Sequence, residues 1–457
     1  MAMLDFLGFR PVLLWTDAVL WLAALLLLGY GWQVRRQPPQ RQLWARVWRR
    51  PEVAAAAVVL GVFVALAMLD SLHFRRALPP SASSAVAYDT RTESVLDLLL
   101  ARPIALREVS YSAPLSCRGF QKETVLLQGQ PVRDFPRLKQ ACAHLKDVPE
   151  AELDGARLRD LLLRLVLGAA GGGTIGIVAL KGLRQLHQRE MAAAVQRTVL
   201  ALAVVCGITV VLAAQYHVLG TDRTGNDVLV QALKSVRTAF VIGTLASVAT
   251  LPLALGLGIL AGMMRGWVDA LIQYLYTLLS SIPGVLLIAA CVLMVQVQLD
   301  THPHWATTPL ERADLKIFLL CVILGITGWT GLCRLLRAET LKLRELEFVQ
   351  AATALGVGRL RIMARHILPN VMHLVLITTV LEFSSLILYE AVLSYVGVGV
   401  DPSLNSFGGM INLARSEMSR DPVIGWSFGS AFVFMVTLVL AANLFADGVR
   451  DAFDPKS

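Results

Sequence analysis

Nine stretches of this chain are apolar over the length that a lipid bilayer demands, and that leaves few architectures open. They cover about residues 12–32, 53–69, 161–180, 198–214, 238–264, 269–298, 315–334, 371–396 and 427–446. A helix crossing the hydrocarbon core needs about 20 such residues. With 56% apolar residues among 457, the chain is too hydrophobic for an ordinary soluble protein. The expectation is an all-α polytopic membrane protein.

A formal charge of +9 is compatible with a nucleic-acid partner, but the arginines sit beside the apolar runs. That distribution marks cytoplasmic loops rather than a nucleic-acid surface. The densest block follows the first run: Arg35, Arg36, Arg41, Arg46, Arg49 and Arg50, with no acid among them. The charge follows the apolar run and no small-residue cleavage site is evident, so a removable signal peptide is not expected. The N-terminus then starts outside, and the second run returns the chain there.

Residues 71–160 form the longest polar segment, long enough for a small extracytoplasmic domain. Cys117 and Cys142 are its only cysteines, and an oxidising compartment permits a disulfide between them, two free thiols being the alternative. Cys206, Cys291, Cys321 and Cys333 lie in or beside apolar runs without metal-ligand spacing and read as packing residues. Ser110, Ser112 and Ser116 lack the pattern of a nucleophile elbow. Docking, or folding over the mouth of the membrane region, is the expected role.

The third run contains GAAGGGTIG, which lacks the Lys-Ser/Thr ending of a phosphate-binding loop, and no other segment supplies one. The chain should therefore bind no ATP of its own. Gly168, Gly172 and Gly176, four apart, suit close helix packing in lipid, as do Gly258, Gly262 and Gly266 further on. Lys181, Arg184, Arg189 and Arg197 mark a second cytoplasmic loop.

From about residue 197 the chain reads as a separate unit of six runs. Alternation from a cytoplasmic start puts the 335–370 loop and the C-terminus inside, and Arg334, Arg337, Lys342, Arg344, Arg359, Arg361 and Arg365 agree. The expected divisions are 1–70, two spans with a basic loop; 71–160, the outer domain; 161–196, a third span and linker; and 197–457, the core, with its amphipathic loop at 338–370.

That loop is the most informative polar stretch. Phe348, Ala351, Ala352 and Leu355 recur at helical spacing, and after Gly356 so do Leu360, Met363, Ala364 and Ile367. Two short amphipathic helices are predicted, with Gly356 as the left-handed cap of the first and Pro369 in the opening turn of the next. Pattern alone leaves two roles open: resting on the lipid surface, or docking against another protein.

Other features are smaller. Thr224 and Asp227 form a capping box opening a short outer helix. Pro283, beside Gly284, interrupts a run and predicts a kink, either lining a pathway or serving packing. His302 and His304 could capture a metal or simply be solvated. Glu382 and Glu390 fall inside a run, where each needs a partner or a wet cavity; for Glu390 a structural pair and a substrate contact both remain open.

The segment from Gln350 to Pro369 resembles the cytoplasmic EAA loop of ABC importer permeases: Glu-Ala-Ala, three residues, Gly, nine residues, then Ile-x-Leu-Pro. Ala351, Ala352, Gly356, Leu368 and Pro369 match at the right spacing, while Gln350 stands for Glu and His366 for Ile. His-Ile-Leu-Pro-Asn is similar to the form in dipeptide and oligopeptide permeases. Gly220, Thr221, Asp222, Gly225, Asp227, Val228 and Leu229 resemble another motif of that family, with Asn226 for the usual Arg. Glu390, Ala391, Leu393, Ser394, Gly397 and Gly399 resemble a third, and the C-terminal ANLFADGVRDAFDPKS a fourth.

The resemblance implies a second, C-type permease subunit: a six-helix type I ABC importer core preceded by three extra transmembrane helices and a small extracytoplasmic domain. It implies a bacterial inner-membrane location and a heterodimer with a related permease. It also implies two cytoplasmic ATPase subunits, which hold the ATP and Mg, and an extracytoplasmic substrate-binding protein. Glu347, Phe348, Gln350, Ala351, Ala352, Leu355, Gly356, Arg359, His366, Leu368 and Pro369 would form the ATPase-docking loop. This chain would hold no cofactor and perform no catalysis. An ion-coupled secondary transporter using Glu382 and Glu390, or a membrane-anchored sensor or enzyme centred on 71–160, would leave the four motifs unexplained.

Overall fold

The computed structural model describes residues 9–78, 88–127, 130–187, 193–305 and 308–453, so Arg189 lies outside the described residues. The chain opens with β1 (Phe9–Val12), α1 (Trp15–Arg36), α2 (Pro38–Arg49) and α3 (Pro51–Asp70). The polar segment follows as β2 (His73–Arg76), β3 (Glu93–Ser94), α4 (Val95–Leu99), α5 (Ala101–Ala105), β4 (Glu123–Leu127) and β5 (Gln130–Asp134). Next come α6 (Leu153–His187), α7 (Ala193–Ala213), α8 (Val228–Met263), α9 (Trp267–Ser281), α10 (Gly284–Thr301), α11 (Pro309–Gly328) and α12 (Thr330–Arg344). The last elements are α13 (Glu347–Ala354), α14 (Arg359–Ile362), α15 (Leu368–Val396), α16 (Phe407–Glu417) and α17 (Trp426–Phe453).

Among the described residues, eight helices are long and apolar enough to cross a membrane, and the bent pair α11–α12, angled by 41°, adds a ninth if it is one span. The protein is thus a polytopic α-helical membrane protein with a polar region between spans. Strands occur only outside those helices. The run at 269–298 is corrected: it is not one kinked span, because α9 stops at Ser281 and α10 restarts at Gly284, with Pro283 as its N-cap. Proline lacks an N–H and its ring crowds the preceding turn, which disfavours a continuous helix through this point.

β1 pairs antiparallel with β2, Phe9 opposite Arg76 and Val12 opposite His73, and β2 pairs with β3. β1 precedes the first span and β2 follows the second, so this pairing requires an even number of membrane crossings between them.

Two compact units emerge, Met1–Val12, Trp48–Thr238 and Asn405–Ala441 in one, and Leu13–Val47, Ala239–Leu404 and Ala442–Ser457 in the other. In the first, α6 and α7 pack backbone to backbone. A Cβ on Gly168 would stand 2.6 Å from Ile208 Cα, one on Gly172 would strike the Ala203 carbonyl, and one on Gly176 would lie 2.9 Å from Ala203 Cβ. The fourfold glycine spacing therefore does pack helices, as expected.

The polar segment of this unit is tied together covalently and by its backbone. Cys117 and Cys142 form a disulfide with Cα atoms 5.5 Å apart. The buried Glu108 carboxylate accepts from the backbone N–H groups of Lys139 (3.0 Å), Gln140 (2.7 Å) and Ala141 (2.8 Å). Backbone bonds then join it to the stretch before α8: Leu115 donates to His217 O at 2.8 Å and Cys142 to Gln215 O at 2.9 Å.

In the second unit α1 lies on α11, where the Thr16 amide and hydroxyl both donate to the buried Asp314 carboxylate. Val241, Ile242, Ile317, Leu320, Leu324 and Leu393 form one core, joining α8, α11 and α15. A Cβ on Gly258 would lie 2.9 Å from Cys333 O, and one on Gly262 2.5 Å from Thr340 Cβ, so α8 and α12 approach closely. Gly266 departs from the expected packing series: its φ of +92° makes the turn into α9, with open space around it.

Candidate functional site

The hairpin Glu347–Asn370 is built from α13, a glycine turn, α14 and a π-helical turn at Met363–Ile367 that runs into α15. Gly356 has φ +78°; its N–H donates to Thr353 O at 3.0 Å, and the Val357 N–H donates to Ala352 O at 3.1 Å. Those two bonds are a Schellman closure, which satisfies carbonyls the helix end would otherwise leave open. Pro369 sits in the first turn of α15, where its missing N–H costs nothing to the helix.

Burial divides the hairpin differently from the spacing argument. Val349, Ala352, Ile362 and Ile367 go inward, onto a core with Ala254, Ile259, Trp329, Leu332, Leu336 and Val371. Phe348, Ala351, Leu355 and Leu360 stay outside; Leu355 is 83% exposed and Leu360 72%. The expected apolar stripe is therefore corrected: Ala352 and Ile367 leave it for the core, and Val349 and Ile362 join them there. Most of the stripe is an uncovered surface, extended by Leu346 at 46% exposure.

The other expected loop residues are placed as follows. Glu347, Gln350, Arg359 and Pro369 are exposed, and Leu368 and His366 half-buried. Gln350 Nε2 donates to Glu345 O at 3.0 Å, which fastens α13 to the end of α12. The His366 ring lies 6.2 Å from that of Phe348 and so bridges the two arms, while Asn370 Nδ2 donates to His366 O at 2.7 Å. Among the described residues, Arg359, Arg361 and Arg365 make no ion pair. The surface is apolar at its crest and cationic at its flanks.

Three contacts beside the hairpin escaped the sequence reading, which counted Arg337 and Arg344 only as topology and did not single out Arg265. Arg337 forks onto Asp269, Nε to Oδ1 at 2.6 Å and Nη2 to Oδ2 at 2.8 Å. Arg344 donates to Met263 O at 3.3 Å, and Arg265 pairs with Glu345 at 2.7 Å. The acid in the first turn of α9, just after a glycine turn, was the available signal.

The residues expected along a pathway are not brought together into one site. Pro283 is exposed at the α9–α10 break. Glu390 is 1% exposed, and Ser394 Oγ donates to its Oε1 at 2.7 Å. A Cβ on Gly399 would strike Ser394, and Gly397, at φ +91°, ends α15, so this motif forms a packed helix terminus. Glu382 is half-buried, with no hydrogen bond or ion pair among the described residues. No group of three or more metal-binding side chains occurs among the described residues, His302 and His304 included.

The second family-like segment also resolves. Thr224 does not cap α8; Asp227 does, accepting from the Leu229 N–H at 2.8 Å and the Val230 N–H at 3.3 Å, and it opens the long α8 rather than a short outer helix. Its other oxygen holds His217 Nδ1 at 2.7 Å, a buried pair the sequence reading missed. Asn226 bonds the Thr224 hydroxyl at 2.7 Å, closing the turn about Asp222. Gly225, at φ +74°, lies against the Glu108 carbonyl, and Trp426 Nε1 donates to Thr221 O at 2.9 Å.

Residues 254–457 match the family described as binding-protein-dependent transport system inner membrane component. The chain is 31% identical over 241 residues to the oligopeptide transport system permease protein OppC of Haemophilus influenzae, spanning 53% of this chain and 71% of that one. It is 32% identical to the protein of the same description from Mycobacterium tuberculosis, spanning 53% and 76%. A putative peptide permease protein of Brucella suis is 30% identical, spanning 53% and 74%.

Proposed function

The chain belongs to the oligopeptide/dipeptide family of ABC importer permeases, as a C-subunit-like member with an added N-terminal region, and from this we propose that Glu347–Asn370 receives the motion of separate ATPase subunits. The protein is a transmembrane permease subunit with no ATP site of its own. Peptides or peptide-like compounds are the proposed cargo. The proposed assembly is a heterodimer with a related permease, two cytoplasmic ATPase chains and an extracytoplasmic binding protein. The orientation that fits puts the hairpin and C-terminus in the cytoplasm and residues 71–160 outside.

The observation that carries the docking role is the uncovered apolar crest of Phe348, Leu355 and Leu360 on a hairpin whose other face is anchored in a core. A short rigid knob with exposed large side chains suits a groove in a partner, because hydrophobic anchors supply affinity while a packed base transmits displacement. ATP-driven closure of the ATPases would shift the knob, and α12 and α15, which continue from it, would carry the shift into the spans. Glu382, lacking a partner within the described residues, would find one in the related permease or in the wet path.

The test is uptake and ATP hydrolysis in proteoliposomes holding the co-purified assembly. Ala351→Arg on the outer face, or Gly356→Val, should leave the subunit in the membrane and abolish uptake, with ATP hydrolysis no longer coupled to it. Unchanged uptake in both variants would remove the docking role.

A further inference from the structure

The basic block between the first two spans is more than a topology signal. Gln37 is extended ahead of Pro38, which stops α1 and starts α2 at once. On α2, Leu43, Trp44 and Val47 turn inward, Val47 completely, while Arg41, Gln42, Arg46 and Arg49 face out. Trp44 locks the helix in place: its Nε1 donates to the Tyr30 hydroxyl at 3.3 Å, and its ring meets that of Phe453 at 5.6 Å.

At the elbow of α1 and α2 is a cavity of about 280 Å³ lined by Arg35, Pro38, Arg41, Gln42 and Ala45. The last four recur at i, i+3, i+4 and i+7, so they form one outward stripe of α2. Arg35 and Arg41 make no ion pair among the described residues, and both side chains, with that of Gln42, line this one open space. Next to it Arg36 stacks on the exposed Trp32 ring, 3.5 Å from its centroid. An exposed tryptophan in the last turn of a span sits where membrane and water meet.

We infer that Arg35, Arg41 and Gln42 form a binding site for the phosphate of an anionic phospholipid headgroup at the membrane surface. Guanidinium forks match phosphate oxygens bidentately, and the amide adds a neutral donor. The chemistry is shared with free phosphate, but a site at a span terminus, flanked by an interfacial tryptophan, has lipid headgroups at far higher local concentration. Such a site would anchor the added N-terminal helices to the charged leaflet.

The test uses the full-length chain purified in mild detergent, with bound lipid read by native mass spectrometry. Phosphatidylglycerol should be retained in preference to phosphatidylcholine. Its binding should weaken about thirtyfold in Arg35→Gln/Arg41→Gln, fivefold for each cation removed at an anionic surface. Arg133→Gln, which removes a charge outside the cavity, should bind as the parent does. Equal retention of the two lipids, or no loss in the double variant, would overturn the site. Displacement of phosphatidylglycerol by inorganic phosphate in low excess would overturn the lipid assignment.

Discussion

Arg337 and Asp269 meet fork to fork, with both nitrogen–oxygen contacts under 3 Å and both side chains mostly buried. The pair joins the start of α9 to the middle of α12, the helix that leads into the hairpin. Lysine would keep the charge and lose the second bond. Arg337→Lys should therefore cost about 1 kcal/mol of stability, and Asp269→Asn about as much. A double-mutant cycle on thermal unfolding in detergent should return a coupling energy of that size; additive effects would show that the two groups act separately.

Gly356 has open space about it, so its requirement is conformational rather than steric. Gly356→Ala should lower stability by about 1 kcal/mol, and Gly356→Asn by less, since asparagine tolerates the left-handed region. Hydrogen exchange at Val357 measures the closure directly: its amide, held by Ala352 O, should exchange faster in the alanine variant than in the asparagine one.

Gly225 shares the positive φ and adds a steric bar, with the Glu108 backbone where a side chain would go. Gly225→Ala should free the 108–142 segment and raise its proteolytic cleavage without unfolding the spans. Intact resistance would mean that the contact is dispensable.

The disulfide closes a loop of sequence separation 25. Cys117→Ser/Cys142→Ser should destabilise that region by about 3 kcal/mol on the chain-entropy account. Thiol alkylation with and without reductant should give a mass difference in the parent chain and none in the double variant.

Acid should loosen the same region. Burial alone would raise the Asp97 carboxyl, but the Lys234 ammonium at 2.7 Å, with hydrogen bonds from Ser94, outweighs it and holds Asp97 below the usual carboxylate range. A group lowered on folding contributes fully above its unfolded value of about 3.9 and loses that contribution as pH falls through the lower folded value. Pepsin cleavage near α4 should therefore rise below about pH 4, and Asp97→Asn should flatten this dependence.

The sequence already carried the polytopic α-helical class, because bilayer thickness imposes a length and composition that can be counted, although the 269–298 run proved to be two helices. It carried the hairpin too: helical spacing, a glycine and a proline located both arms and their turn. Which side of the hairpin faces outward was not legible. Phe348 and Leu355 are as apolar as Val349 and Ile362, and only the position of the α8–α12 core decided which pair was covered. Pro283 signalled an interruption, but whether it bends or ends a helix depends on the packing on both sides.

Short-range devices such as the Asp227 cap and the glycine stripe of α6 are written locally, since their partners lie within a few residues or recur with the helix period. Arg337 with Asp269 and Glu108 with the 139–141 amides need the chain to be folded before they meet. Backbone chemistry and hydropathy act along the chain and can be read from it. Ion pairs, disulfides and cavities act through space, and the tertiary structure alone assigns them.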